Sequence, residues 1–390
     1  MSRDLTLVLN VGSSSIKFAA YHAQALLLRG ELEGIGHVET RLSVPHDALG
    51  LMAGITARDE QEHGPALDWL LALLAGRLAG QRVAVVGHRV VHGGRSFTAP
   101  ARIDAAALAE LHRLTPLAPN HQPQNIAGIV AAARIWPDAP QIACFDTAFH
   151  STQPELARRF ALPRKLHDEG IERFGFHGLS YQFIAESLPT LSAARAEGRV
   201  VVAHLGSGAS MCALHHRSSV ATTMGMTALD GLMMGTRCGA LDPGVLLHLL
   251  QQHGLSAEAV SDILYKQSGL LGVSGISSDL RVLEASAAPE AEQAQALFAY
   301  RARESLASLV ATLGGLAVLV FTGGIGTHSA AMRARICDGL GWLGVDLDQA
   351  RNTSGGAALH SAASRVEIHA VETDEEIVIA RACAAFRAIK

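Results

Sequence analysis

The sequence is poor in charge, aromatics, proline and lysine, and each shortage excludes something. Charged residues make up 17% and aromatics 5% of 390 residues, against 49% hydrophobic; that balance excludes an intrinsically disordered chain. With 13 prolines against 38 glycines, proline-rich spacers are excluded and tight turns favoured. Among 32 basic residues only Lys17, Lys165, Lys266 and Lys390 are lysines, and none closes a GxxxxGK[ST] loop, so a P-loop nucleotide site is excluded. A net charge of −4 with no basic run gives nothing to track a phosphate backbone, and no nucleic-acid partner is expected. The 5 cysteines, Cys144, Cys212, Cys238, Cys337 and Cys383, are odd in number and lack CxxC spacing, which fits reduced thiols in a cytoplasm. The longest apolar run, Leu309 to Phe321, falls short of the ~20 residues that span a bilayer. Met1-Ser-Arg-Asp leads into Leu5 to Leu9 without the regions of a signal peptide, so a soluble, cytoplasmic protein without a membrane partner is expected.

The length allows two or three domains with sizeable cores. An internal echo narrows this. Leu5-Thr-Leu-Val-Leu-Asn-Val-Gly-Ser-Ser-Ser-Ile-Lys-Phe18 and, half a chain later, Val200-Val-Val-Ala-His-Leu-Gly-Ser-Gly-Ala-Ser-Met-Cys212 each read as a strand, a Gly/Ser turn and a second strand. Such hairpins offer backbone N–H groups and hydroxyls to phosphate oxygens, although each alone also reads as an ordinary hairpin. A third element, Val318-Leu-Val-Phe-Thr-Gly-Gly-Ile-Gly326, is a strand ending in a glycine turn, followed by helical spacing from Ser329 to Leu340. In that order the three resemble the actin-like ATPase superfamily, in which phosphate and adenosine elements clamp Mg-ATP between two similar domains. The fold class expected is therefore α/β, a duplicated actin-like (ribonuclease H-like) fold with two domains around a nucleotide cleft. Arg82 to Val91 and Gln141 to Phe145 read as strands, and Asp68 to Leu78 and Pro289 to Leu313 as helices, the latter with proline in its first turn.

Four segments press polar residues against apolar strands, where a polar group needs a partner or a purpose. Arg89, in Val86-Gly-His-Arg-Val-Val-His-Gly-Gly94, carries a planar fork for a carboxylate or phosphate; a buried ion pair is the alternative. Asp146, in Cys144-Phe-Asp-Thr-Ala-Phe-His150, sits where a strand meets its loop, as a catalytic or a capping aspartate. His177, in Arg173-Phe-Gly-Phe-His-Gly-Leu-Ser180, is set for a cleft, or is one more structural histidine among 19. Arg237, in the glycine-rich loop Asp230 to Gly244, can reach a transferring phosphoryl group or remain a surface arginine.

Taken together, Asn10-Val-Gly-Ser-Ser-Ser-Ile-Lys17, Gly87 to Gly94, Pro116-Leu-Ala-Pro-Asn-His121, Phe145 to His150, Arg173 to Gly178, His204 to Gly208, Met233-Met-Gly-Thr-Arg-Cys-Gly239, Ser268 to Gly275, Thr322 to Gly326 and Thr373-Asp-Glu-Glu376 identify a chain that resembles the acetate/propionate kinase family nearly end to end. The resemblance implies reversible, direct in-line transfer of the γ-phosphoryl of ATP to acetate, giving acetyl phosphate and ADP. It implies Arg89, Val91, His121 and Phe176 at the acyl substrate, Asp146, His177 and Arg237 as catalytic, and Asn10 and Glu375 at Mg²⁺, with Mn²⁺ as a substitute. For the nucleotide it implies Lys17, the run His204, Leu205, Gly206, Ser207 and Gly208, then Asp279, Leu280 and Arg281, and the turn Gly324, Ile325, Gly326, Thr327 and His328. A carboxylate attacks without losing a proton, so alignment and charge neutralisation are the chemistry required. Domains of 1–148 plus 374–390 and of 149–373, and a homodimer, are expected.

The chain departs from the family pattern at Ser207, where asparagine is usual, and at Thr327-His328, where Glu-Asn is usual, both beside the nucleotide. Asn120 and Ala228 replace a common leucine and proline, which makes the acyl wall smaller and more polar. Two rivals follow: a propionate or butyrate kinase of the same family, and a non-catalytic ATP switch like actin or the heat-shock chaperones.

Overall fold

A computed structural model describes residues 4–12, 14–36, 40–55 and 62–388; Ser13 of the first glycine–serine turn lies outside them, as do residues 1–3 and Lys390. The chain divides into two compact units, Met1–Phe149 with Asp374–Lys390, and His150–Thr373. In the first, strands β1 (Asp4–Val11), β2 (Ser15–His22), β3 (Ala25–Glu33), β4 (Arg41–Asp47), β5 (Arg82–Val90), β6 (Ala101–Arg102) and β7 (Gln141–Phe145) form one sheet in the order β4-β3-β2-β1-β5-β7-β6. In the second, β8 (Arg199–Leu205), β9 (Ala209–His215), β10 (Ser218–Thr222), β11 (Val318–Thr322) and β12 (Glu367–Ala370) take the order β10-β9-β8-β11-β12.

The duplication is legible in these orders. Each sheet has three antiparallel strands, β3-β2-β1 or β10-β9-β8, whose innermost member continues into two parallel neighbours, β5-β7 or β11-β12. The first sheet adds β4 and β6 at its edges. The fold is α/β and duplicated, of the actin-like kind.

Period-two alternation decides where the chemistry falls. Leu5, Leu7, Leu9 and Val11 of β1 share one core with Leu67, Leu70, Leu71 and Leu74 of the helix His63–Arg77, and each fully buried leucine contributes roughly 1.5–3 kcal/mol. Asn10 therefore points to the opposite face, against which the helix Glu375–Ala388 packs, with Ile379 and Cys383 over Gly87 of β5. That helix belongs to the first unit although it lies at the far end of the chain.

Sequence patterning found most elements and missed some boundaries. Pro289–Leu313 and Gln141–Phe145 are as read. The leucine-rich helix begins earlier than Asp68, at His63, because Pro65 and Ala66 fit its first turn. The glycine turn after β11 is a short helix, Gly323–His328; its glycines coil because Gly323, at φ +75°, turns the chain directly off the strand end. All 5 cysteines are free thiols, and among the described residues no helix is long and apolar enough to cross a membrane.

His88 on β5 is buried and donates from Nε2 to Gln141 Oε1 at 2.7 Å. Burial, only partly offset by that bond, pushes its pKa down from 6.5 to about 4. The unfolded chain therefore takes up a proton between about pH 6.5 and 4 that the native state refuses, so stability is lost as pH falls through this window. By pH 5 the site should cost about 2 kcal/mol relative to pH 7. H88Q should flatten the fall in Tm between pH 7 and 5; an unchanged fall would contradict the assignment.

Candidate active site

In the first unit three parallel strands end side by side, and a polar residue stands at each end. Asn10 on β1, Arg89 on β5 and Asp146 just after β7 meet there, beyond the carboxyl ends of strands where α/β folds place ligands. Arg89 donates from Nε to Asp146 Oδ1 at 2.9 Å, from Nη2 to Asp146 Oδ2 at 2.6 Å and from Nη1 to Asn10 Oδ1 at 3.3 Å. Glu375, first residue of the C-terminal helix, brings Oε2 to 3.7 Å from Arg89 Nε. Burial opposes the guanidinium charge, but the carboxylates of Asp146 and then Glu375 outweigh it and hold Arg89 above its ordinary value. The bidentate pair fixes the Nε–Nη2 edge of the fork.

Asp374 ties this helix to the sheet: it accepts from Ile377 N–H at 3.0 Å, capping the helix, and from Arg29 Nη2 on β3 at 2.5 Å. The neighbour Glu376 turns toward Arg29, at 4.0 Å, rather than Arg89, and burial, with the charge of Glu375, raises its pKa. Of the two glutamates it is Glu375 that faces Arg89. Lys17 pairs with Asn10 across the β1–β2 ladder and lies 4.0 Å from Glu31. Val91 is buried and its N–H donates to Asn125 Oδ1 at 2.9 Å. His121 precedes the same helix, Gln122–Ile135, and Asn120 beside it is exposed.

The second unit gathers a histidine–arginine set at the β8–β9 hairpin. His177 stands at the start of the helix Gly178–Leu191 with φ 57° and ψ 25°, a left-handed conformation that costs a non-glycine residue about 1–3 kcal/mol. Its ring stacks on that of His204, with centroids 4.2 Å apart, and its Nδ1 lies 2.8 Å from Ser210 Oγ. The Tyr181 hydroxyl lies 2.5 Å from the same Oγ, and Ser180 Oγ lies 2.8 Å from His204 Nδ1. Arg237 donates from Nη1 to the Ala228 carbonyl at 2.6 Å. Gly208 explains how the two side chains fit: a Cβ there would lie 2.6 Å from Arg237 Nη2 and 3.3 Å from His177 Nε2.

Beside the hairpin is a cavity of about 580 Å³ lined by Gly206, Ser207, Ser278, Asp279, Leu280, Arg281, Glu284, Gly324, Ile325, His328 and Ser329, a size that suits a nucleotide-sized ligand. Asp279 caps the helix Leu280–Glu284 and receives Arg281 Nη2 at 2.6 Å, and that bond holds its carboxyl below the usual range.

Comparison with known proteins decides the family. Residues 5–381 match the Acetokinase family. The chain belongs to that family. It is 49% identical to the acetate kinase of Rhodopseudomonas palustris, over 97% of each chain, and 47% identical to that of Methylocella silvestris, over 98% of this chain and 97% of the other. The crystal structure of Porphyromonas gingivalis acetate kinase superposes with a TM-score of 0.85 at 34% identity, covering 98% of this chain and 100% of that one. A propionate kinase from Francisella tularensis gives 0.89 at 34%, covering 97% and 98%.

Among the residues read from the sequence of this acetokinase, the first unit brings together Asn10, Arg89, Asp146 and Glu375, with Lys17 alongside Asn10. Lys17 is thus in the other unit from the cavity. The second unit brings together His177, His204, Gly208 and Arg237, and puts Gly206, Ser207, Asp279, Leu280, Arg281, Gly324, Ile325 and His328 on the cavity. Leu205, Gly326 and Thr327 do not line it; Leu205 and Gly326 are buried. Phe176 is buried directly before His177. Ser278, Glu284 and Ser329 were missed. So was Arg333, which is buried and donates to the carbonyls of Gly326, Thr327 and Asn352 and to Asn352 Oδ1, pinning the short helix whose Gly324, Ile325 and His328 face the cavity. An arginine between the apolar Met332 and Ile336 was the available signal.

Adding a methyl group at Gly208 should separate fold from function. The nearest atom, Arg237 Nη2, is the far end of a flexible side chain, so G208A should keep Tm within about 3 °C, equivalent to roughly 1 kcal/mol in a domain of this size. Displaced from the hairpin, Arg237 should lose its action, and kcat should fall at least ~10-fold. Wild-type kcat in a folded G208A protein would contradict the proximity argument.

Proposed function

We propose that this acetokinase transfers the γ-phosphoryl group of ATP reversibly to acetate, forming acetyl phosphate and ADP. The observation that carries this reading is the 49% identity to a curated acetate kinase over 97% of both chains. The geometry supplies the physical account. The carboxylate of acetate meets the Nη1–Nη2 end of Arg89, whose other edge Asp146 holds rigid; Asp146 then positions Arg89 and removes no proton, since none has to leave. Val91, His121 and Phe176 are the residues assigned to the methyl group, as the family resemblance implies. The β8–β9 hairpin and the cavity residues take the nucleotide.

Arg237 and His177 answer the charge spread over the transferring phosphoryl oxygens. Burial raises the Tyr181 phenol well above its ordinary value, so it keeps its proton; we assign it as the donor to Ser210 Oγ. Ser210 in turn donates to His177 Nδ1, which leaves the imidazole proton on Nε2, the nitrogen beside Gly208.

The donor set suits Mg²⁺. Asn10 and Glu375 offer hard oxygens of the kind that ion takes, alongside waters and substrate phosphates. When bound, Mg²⁺ or Mn²⁺ neutralises phosphate charge; Asn10 and Glu375 would hold it. Five free thiols support a reducing, cytoplasmic setting. The helix Pro243–Gln251 buries none of its residues and exposes Val245, Leu247 and Leu250, which supports a homodimer that covers them; a monomer by sedimentation equilibrium at micromolar concentration would exclude it.

The test is an acid series with Mg-ATP and hydroxylamine as trap. Acetyl hydroxamate should form, with kcat/KM for acetate above that for propionate and butyrate. No hydroxamate from any of the three would overturn the reading, and a higher kcat/KM for propionate would reassign the substrate.

A further inference from the structure

The strained backbone at His177 needs something to hold it, and the second unit provides a buried polar cluster that the chemistry above does not use. His150 is 1% exposed. Its Nε2 lies 2.9 Å from the carbonyl oxygen of Phe176, the residue directly before His177. A carbonyl only accepts, so Nε2 carries the proton and Nδ1 of the neutral ring is the acceptor. Ser219 Oγ answers it at 2.9 Å, and Gln153 Nε2 donates to that same hydroxyl at 2.9 Å. Thr152 Oγ1 donates to the Ser219 carbonyl at 2.8 Å.

Two further contacts run from this ring to His177. Gly175, at φ 76°, leaves the space the ring fills: a Cβ there would lie 2.6 Å from His150 Cδ2. The ring of Tyr181 meets His150 edge-on, with centroids 5.6 Å apart, and its hydroxyl is the one that reaches Ser210 and thereby His177 Nδ1. One buried ring therefore braces the backbone on one side of His177 and the hydroxyl relay on the other.

We propose that His150 is a positioning residue: it holds the Phe176–His177 peptide in its left-handed conformation and so aims His177 Nε2 at the transferring phosphoryl group. This rests on the role given to His177 above. Misplacing a transition-state contact by about 1 Å costs on the order of 10²-fold in rate, whereas ground-state binding of ATP in the cavity should barely notice.

The test compares H150Q, H150N, H177A and the double variant H150N/H177A, each checked for Tm, kcat, KM for ATP and acetate, and the ¹⁵N shifts of labelled histidine. Glutamine extends far enough to replace the Nε2 donor; asparagine reaches only as far as Nδ1. H150Q should stay within about 3-fold of wild-type kcat, and H150N should lose roughly 10- to 100-fold with KM for ATP within about 2-fold. H150N should cost less than about 3-fold when H177A is already present, because residues that act through one another are not additive. Equal kcat for H150Q and H150N, or full additivity in the double variant, overturns the proposal. Loss of activity in H150N with H177A fully active would refute the role of His177 instead. Should H150N not fold, S219A removes one hydroxyl from the far side of the ring: kcat about 3- to 10-fold lower with a moved His177 Nδ1 shift supports the proposal, and no change in either overturns it.

Discussion

Acetate and the terminal phosphoryl group of ATP are both anions, and the proposed chemistry is dominated by the repulsion between them. A site built for such a reaction needs fixed positive charge and oriented N–H groups more than it needs a base. On the proposed reading that constraint accounts for an arginine held half-buried at the strand ends, Arg89. A guanidinium among strand ends is costly unless its partners are in place, and here Asp146, Asn10 and Glu375 come from β7, β1 and the C-terminal helix. The same knot that orients the fork also fastens the end of the chain to the first sheet, with Arg29 and Asp374 as a second fastening.

In the second unit hydrogen bonds, rather than ion pairs, hold the side chains to which the proposal gives the phosphoryl group. Tyr181, Ser210 and His177 form a hydrogen-bonded chain, and His204 stacks against the last ring. The absence of a Cβ at Gly208 lets Arg237 and His177 approach the hairpin together. Rigidity in such a chain matters because a donor already aimed at developing charge needs no reorganisation during the reaction. The scarcity of lysine fits this design, since arginine and histidine present directed donors where lysine presents a mobile point charge.

Much of this was legible in the sequence, for identifiable reasons. The two Gly/Ser hairpins announced a duplication, and the strand orders of the two sheets repeat it. Asp146 and Arg89 stood out because a charged residue directly at the end of an apolar strand is hard to explain otherwise. The segment after β11 read as a turn because its glycines mask a helix that tertiary contacts, among them Arg333, hold in place. Arg333 and His150 escaped notice because their partners, backbone carbonyls together with Asn352 and Ser219, lie far from them in the sequence. The choice between Glu375 and Glu376 rested on motif alignment in the sequence; in the fold they diverge, one toward Arg89 and the other toward Arg29.

The central claim is that phosphoryl transfer is a single displacement, with acetate as the nucleophile and no side chain phosphorylated on the way. The most direct measurement is the stereochemical course at phosphorus, using ATP made chiral at the γ position with sulfur and oxygen isotopes. One in-line displacement predicts inversion of configuration in the acetyl phosphate analogue. Retention would mean two displacements and a phosphorylated enzyme, and would contradict the account.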